Sequence, residues 1–178
     1  MTAAEEPSHV PPPSRAAVRA AYAAFAAATV GFQPLHLTWA LGIPLFADRD
    51  RFAVWYADGG RAYLIVLCLL AVLPAILALA LVRPWGLRFP NWTPIWRGRP
   101  VPRLVLLVPG YGLALVLGAY TVFAAVLALT QWSAQDAVFS PWTGVWGIPQ
   151  FAVWVYGLAV ATRSYDRRTG RRLPRSAA

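Results

Sequence analysis

Lysine is absent from this chain of 178 residues, cysteine occurs once, and charged residues make up only 13%, where a soluble domain carries about 25%. The single Cys68 sits inside an apolar run, which excludes disulfide scaffolds, thiol-disulfide redox pairs and cysteine-rich metal sites. Of the two histidines only His36 falls in an apolar run, so the paired axial ligands of a cytochrome-b-type haem carrier are missing. No acid falls inside a long apolar run, which removes the buried carboxylate that small multidrug exporters use for proton coupling. There is no glycine-rich phosphate loop, no Gly-x-Ser-x-Gly elbow and no His-Glu-x-x-His pattern. The charge that is present is one-sided, 16 Arg against 7 Asp and Glu. Its arginines come in short blocks between apolar runs, a distribution that speaks against nucleic acid as a partner.

What the chain has in abundance is hydrophobicity: 58% of its residues, with a mean hydropathy of +0.51. That excludes disorder over most of the length. A hydrocarbon core of ~30 Å needs roughly 20 apolar residues in helix. Four runs without acid or arginine meet that length: Ala20 to about Ile43, Ala62 to Val82, Leu104 to about Trp132, and about Thr143 to Thr162. No backbone group finds water in the bilayer core, so each run is expected to be helical, and each is too long for barrel strands of about ten residues. The expected fold class is all-α: a polytopic bundle of four transmembrane helices, over about 20–43, 62–82, 104–131 and 143–162.

The arginines set the expected orientation. Arg15 and Arg19 precede the first run, Arg83, Arg88, Arg97, Arg99 and Arg103 fill the second connection, and Arg163, Arg167, Arg168, Arg171, Arg172 and Arg175 follow the last. Thirteen arginines on one side face Arg49, Arg51 and Arg61 on the other, so the positive-inside rule places both termini in the cytoplasm. The polar, proline-rich residues 1–15 read as a disordered cytoplasmic tail, 16–163 as the transmembrane domain and 164–178 as a basic cytoplasmic tail. A cleaved signal peptide is disfavoured, because Glu5 and Glu6 occupy its basic region and the apolar run continues past Ala28 to Ile43. The connection Arg83 to Arg103 is too rich in proline for a helix. Its Trp and Arg residues, like Arg163 to Arg175, suit either a plain interfacial anchor or a docking site for anionic lipid headgroups or a cytoplasmic partner.

Polar residues inside the runs are the candidate functional groups. Thr29, Gln33 and His36 are spaced to stack on one helical face, with Pro34 freeing the Val30 carbonyl beside them. Tyr120 and Thr121 lie just beyond the middle of the third run, Gln131 lies at its outer end on the same helical face as Tyr120, and Gln150 lies one turn below Trp146 in the outer half of the fourth. Three helices thus bring polar groups to the outer half of the bundle. Amides and an imidazole are costly in lipid, so these groups should face inward and bond one another or water. They form either an interhelical cluster that fixes packing or the lining of an outward-facing pocket for a lipid, quinone or other amphiphile. The pocket would be rimmed by Trp39, Trp55, Tyr56, Trp132, Trp142 and Trp146. The stretch Pro44 to Arg61 reads as an outer loop whose aromatic group lies at the membrane surface. Its Asp48 and Asp50 could join His36 in a metal or acid-base site, but metal sites need three or four convergent ligands and the spacing does not require one. No metal and no cofactor are expected.

Small residues four apart, in Ala24-x-x-x-Ala28, Ala27-x-x-x-Gly31, Ala114-x-x-x-Gly118 and Gly157-x-x-x-Ala161, let helices approach closely. Pro74 and Pro109 are expected kinks.

The segment Leu35-His36-Leu37-Thr38-Trp39-Ala40-Leu41-Gly42 resembles a motif at the end of the first span in a family of small four-span bacterial membrane proteins of unknown function. There a His is followed three residues later by Trp, then a small residue and a Gly pair, whose second member is Ile43 here. The arginine-rich, lysine-free, alanine-heavy composition is similar to that of actinobacterial proteins. The resemblance implies a plasma-membrane protein and brings no activity with it. The leading expectation is a non-catalytic accessory or assembly subunit, associated with another membrane protein or with its own copies. The alternative is a lipid- or quinone-handling enzyme or transporter. A cavity between the first, third and fourth runs would favour the alternative, and a filled Leu/Ala seam the accessory subunit.

Overall fold

Ser14 sets where the first helix starts. Its backbone is extended and its hydroxyl accepts a hydrogen bond from the Ala17 amide at 3.2 Å, so α1 (Arg15–Ala26) begins directly after it. The computed structural model describes residues 10–130, 132 and 136–170. Helix α1 runs into a π-helical segment, Ala27–Phe32, and on into α2 (Gln33–Ala40). Gly42 ends this stretch in the left-handed conformation (φ 83°). The Ile43 amide donates to the Thr38 carbonyl at 3.1 Å and the Gly42 amide to the Trp39 carbonyl at 2.8 Å. These two bonds make a Schellman cap, which accounts for a glycine at this point of the His-x-x-Trp-Ala-x-Gly sequence.

The stretch expected to be an outer loop holds a short helix, α3 (Arg49–Trp55). Asp48 caps it by accepting from the Arg51 amide at 3.0 Å. Phe52 is the buried side chain of its inner face. A second π-like segment, Tyr56–Gly60, bends at Asp58 and Gly59 and leads into α4 (Arg61–Ala80). The connection that follows contains no α-helix, only a single 3-10 turn at Pro84–Gly86 and an antiparallel bridge between Arg88 and Pro100. Helices α5 (Arg103–Thr130) and α6 (Trp142–Gly170) complete the bundle. Residues 164–170, read from the sequence as tail, are the last turns of α6; the rest of both expected tails, 1–9 and 171–178, lies outside the described residues. Pro74, Pro109 and Pro149 sit inside helices without ending them.

Three helical stretches are long and apolar enough to cross a membrane: Arg49–Ala80, Arg103–Thr130 and Trp142–Gly170. The stretch 15–40 is not among them, since alanine is only weakly hydrophobic and Thr29, Gln33, His36 and Thr38 lower its hydropathy. It is held by burial instead. Ala17, Ala21, Ala24 and Ala28 form one fully covered stripe against α4 and α6. Gly157 of α6 lies so close that a Cβ there would come within 2.4 Å of the Ala20 carbonyl oxygen. Two of the small-residue pairs, Ala24-x-x-x-Ala28 and Gly157-x-x-x-Ala161, thus lie buried at this close approach. Helix α5 packs mainly on α6, with Gly110 against Thr162, and turns most of its apolar side chains outward.

The last turns of α6 tie together the end of the bundle that carries the arginines. Tyr165 donates its hydroxyl to the Gly86 carbonyl at 3.2 Å. Arg168 donates to the Leu81 carbonyl at 2.7 Å, capping α4, and to the Pro11 carbonyl at 3.3 Å. Asp166 pairs with Arg103 and accepts from the Tyr111 hydroxyl at 3.0 Å, and Arg83 bonds and overlies Tyr22. Four arginines from the two stretches read as headgroup sites, Arg83, Arg97, Arg103 and Arg168, therefore make internal contacts, while Arg88, Arg99, Arg163 and Arg167 are exposed.

Candidate functional pocket at the aromatic end

At the opposite end, the π-helical segment bulges its carbonyls toward α6. Gln150 Nε2 donates to the Ala27 carbonyl at 2.9 Å, and one turn earlier Trp146 Nε1 donates to the Gly31 carbonyl at 3.4 Å. The carbonyls that receive side chains from α6 are thus those of Ala27 and Gly31; the donors do not converge on Val30, the carbonyl that Pro34 was expected to free. On the other flank Gln33 Nε2 donates to the Cys68 carbonyl of α4 at 2.8 Å. Irregular helix of this kind often marks a functional position, and here it is gripped from both sides.

His36 follows one turn later. Its Nδ1 lies 2.8 Å from the Phe32 carbonyl, and its ring stacks on Phe32 at 3.7 Å and meets the edge of Trp39 at 5.1 Å. A carbonyl only accepts, so Nδ1 carries the proton of that bond. Trp39 in turn donates its indole N–H to the Leu45 carbonyl at 2.7 Å and packs on Phe139 at 4.5 Å.

Between these elements lies a cavity of about 390 Å³. Helix α2 lines it with Leu35, His36 and Trp39, α5 with Tyr120, Thr121 and its last turns, and α6 with Trp146, Gln150 and Phe151. Tyr63, Leu64 and Leu67 of α4 close the fourth side. Its roof is the 137–141 segment, which is pinned to the loop before α3: the Asp48 amide donates to the Val138 carbonyl at 2.9 Å and the Ser140 amide to the Phe46 carbonyl at 2.8 Å. No Asp, Glu or Arg lines it.

Of the residues singled out in the sequence, His36, Trp39, Tyr120, Trp146 and Gln150 line this one cavity, and Trp55 of the expected rim does too. Thr29 and Gln33 do not. Thr29 donates to its own helix at the Phe25 carbonyl, and Gln33 turns to α4. Gln131 lies outside the described residues. The expected bonds among Gln33, His36, Gln150 and Tyr120 do not form among the described residues; the two amides and the imidazole bond backbone carbonyls, each of which has a second lone pair to offer. Tyr120 packs its ring on Phe151 at 5.2 Å. Sequence reasoning missed Leu35, Tyr63 and the roof residue Phe139. Tyr63 stands at the start of the second run, where its aromatic ring was a usable signal, whereas Phe139 reaches the site only through the bridge to Ala47, which leaves no trace in the sequence. Asp48 and Asp50 cap and begin α3, and among the described residues no three His, Cys, Asp or Glu side chains converge.

Comparison of the chain with protein-family profiles, curated proteins and solved structures returns no match.

Proposed function

We propose that this chain is a four-span protein of a bacterial plasma membrane, with both termini cytoplasmic, that holds an amphiphile such as a lipid or quinone in a pocket of the outer leaflet. One observation carries the reading: a cavity of about 390 Å³ between the first, third and fourth runs, where a packed seam would have favoured an accessory subunit. That volume falls within the range of small-molecule sites. The stretch 15–40 is the fourth span, since ~1.5 Å per residue makes it longer than a ~30 Å hydrocarbon core. An even number of spans returns both termini to the arginine-rich, cytoplasmic side. There the exposed Arg88, Arg99, Arg163 and Arg167 face anionic headgroups.

A second reading, a non-catalytic accessory or assembly subunit, draws on α5, whose apolar stretch is left uncovered by the rest of the chain. Native mass spectrometry of the detergent-purified protein and of His36→Ala, with identification of what co-purifies, separates the two. A stoichiometric small molecule lost in the variant is the expected result. A protein that is empty, or that carries another polypeptide in both forms, overturns the pocket reading.

A further inference from the structure

The pocket's polar groups are not neutral as to what they accept. Around its wall the side-chain donors are already directed into backbone carbonyls: Trp39 Nε1 to Leu45 at 2.7 Å, Thr121 Oγ1 to Leu117 at 2.6 Å, Thr143 Oγ1 to Ser140 at 2.7 Å and Gln150 Nε2 to Ala27 at 2.9 Å. His36 does the same with Nδ1, at 2.8 Å from the Phe32 carbonyl. In a neutral imidazole the other nitrogen, Nε2, is then a lone pair. No carboxylate lines the cavity to favour the imidazolium, and stacking on Phe32 at 3.7 Å fixes the plane of the ring. Nε2 has no hydrogen-bond partner among the described residues. The hydroxyls of Tyr63, Tyr120 and Ser140 rotate to suit either role, and Trp55 keeps an indole donor near the roof. The Trp55 indole and the second N–H of Gln150 can only donate, but the Phe32-stacked ring of His36 presents Nε2 as a fixed acceptor, and that position asks for a donor.

We infer that the pocket selects an uncharged amphiphile whose head carries a hydroxyl, donating to His36 Nε2, over an analogue whose head can only accept. In quinone chemistry this is the reduced quinol over the quinone; among lipids it is an alcohol or a glyceride with a free hydroxyl. The inference rests on the pocket reading above and adds the polarity of the bond. Charged heads are excluded by the wall, which has no side chain of opposite sign to receive them.

The test compares dodecan-1-ol with dodecyl methyl ether, in which a methyl group replaces the hydroxyl hydrogen and leaves an oxygen that can only accept, on the full-length protein in lipid nanodiscs. Concentrations are expressed as mole fraction in the bilayer, so that partitioning cancels. Binding is followed by quenching of the pocket tryptophans and by nitrogen NMR of labelled histidine. The alcohol is expected to bind about 5- to 10-fold more tightly than the ether, the range of one net hydrogen bond, and it alone should move the Nε2 resonance of His36. In His36→Phe, which keeps the ring stack, the preference should vanish. Equal affinities in the unmodified protein overturn the inference and leave the pocket standing, and that comparison needs no variant. A preference retained by His36→Phe overturns it as well. Failure of both probes to bind overturns the pocket reading itself.

Discussion

Gly31 makes room for Gln150: a Cβ at position 31 would come within 2.7 Å of Gln150 Cγ, and with only hydrogen there the amide of Gln150 reaches the Ala27 carbonyl at 2.9 Å. The glycine, the π-helical register and the pocket wall are one arrangement. Filling the gap at Gly31 pushes away a side chain that forms part of the cavity.

Gly31→Ala should therefore displace Gln150, break its bond to Ala27 and cost about 1–2 kcal/mol, the range of one interhelical hydrogen bond with mild overpacking. Thermal unfolding in detergent measures this. In Gly31→Ala combined with Gln150→Ala the two losses should not add, because each removes the same contact. Additive losses would show that the two residues do not meet.

Gly157 and Gly147 lie ten residues apart on α6 and should respond in opposite ways. A Cβ on Gly157 would stand 2.4 Å from the Ala20 carbonyl oxygen and 2.9 Å from the Ala24 Cβ, both parts of a buried helix that cannot move aside. Gly157→Ala should cost about 2–3 kcal/mol. At Gly147 nothing lies within 4 Å, so Gly147→Ala should be neutral or stabilise by up to about 1 kcal/mol through helix propensity. The same thermal assay reads both, and equal effects would refute the close approach of α6 to α1.

The side on which each connection lies can be read with single cysteines in a Cys68→Ala background and a membrane-impermeant maleimide. Pro12→Cys and Asn91→Cys should react from the cytoplasmic side and Asp50→Cys from the outside. Labelling of Pro12→Cys on the same side as Asp50→Cys would mean that the stretch 15–40 does not cross.

How far the sequence reading reached follows from what each signal measures. The run Ala62 to Val82 became α4 (Arg61–Ala80) and the run from Leu104 became α5 (Arg103–Thr130), because absence of charge over a membrane's width is a strong and simple signal. The same signal marks the apolar length of a helix and not its end, so it stopped at Thr162 while α6 continues to Gly170 to bury Tyr165. Helix α3 was hidden because its alternating Asp and Arg look like a loop, although Asp48 before Arg51 is a usable cap signal. At the site, counting ~1.5 Å per residue grouped His36, Tyr120 and Gln150, and these three line one cavity. Their bonds were not legible. The π-helical register that offers the Ala27 and Gly31 carbonyls depends on tertiary packing and has no periodic pattern.

The contacts of α6 with the start of the chain have a consequence for the order of assembly. Gln150 and Ala27 are 123 residues apart, and Arg168 and Pro11 are 157 apart. A ribosome that has just released the first helix has made none of the partners that cover its alanine stripe on the α6 side or complete its π-helical turn. If the stretch 15–40 is the fourth span, as proposed above, this polar helix must wait beside the insertion machinery, or shelter against α4, until α6 emerges. Truncation within α6 would then strand the first helix rather than the last, because the partners that cover it come from the end of the chain.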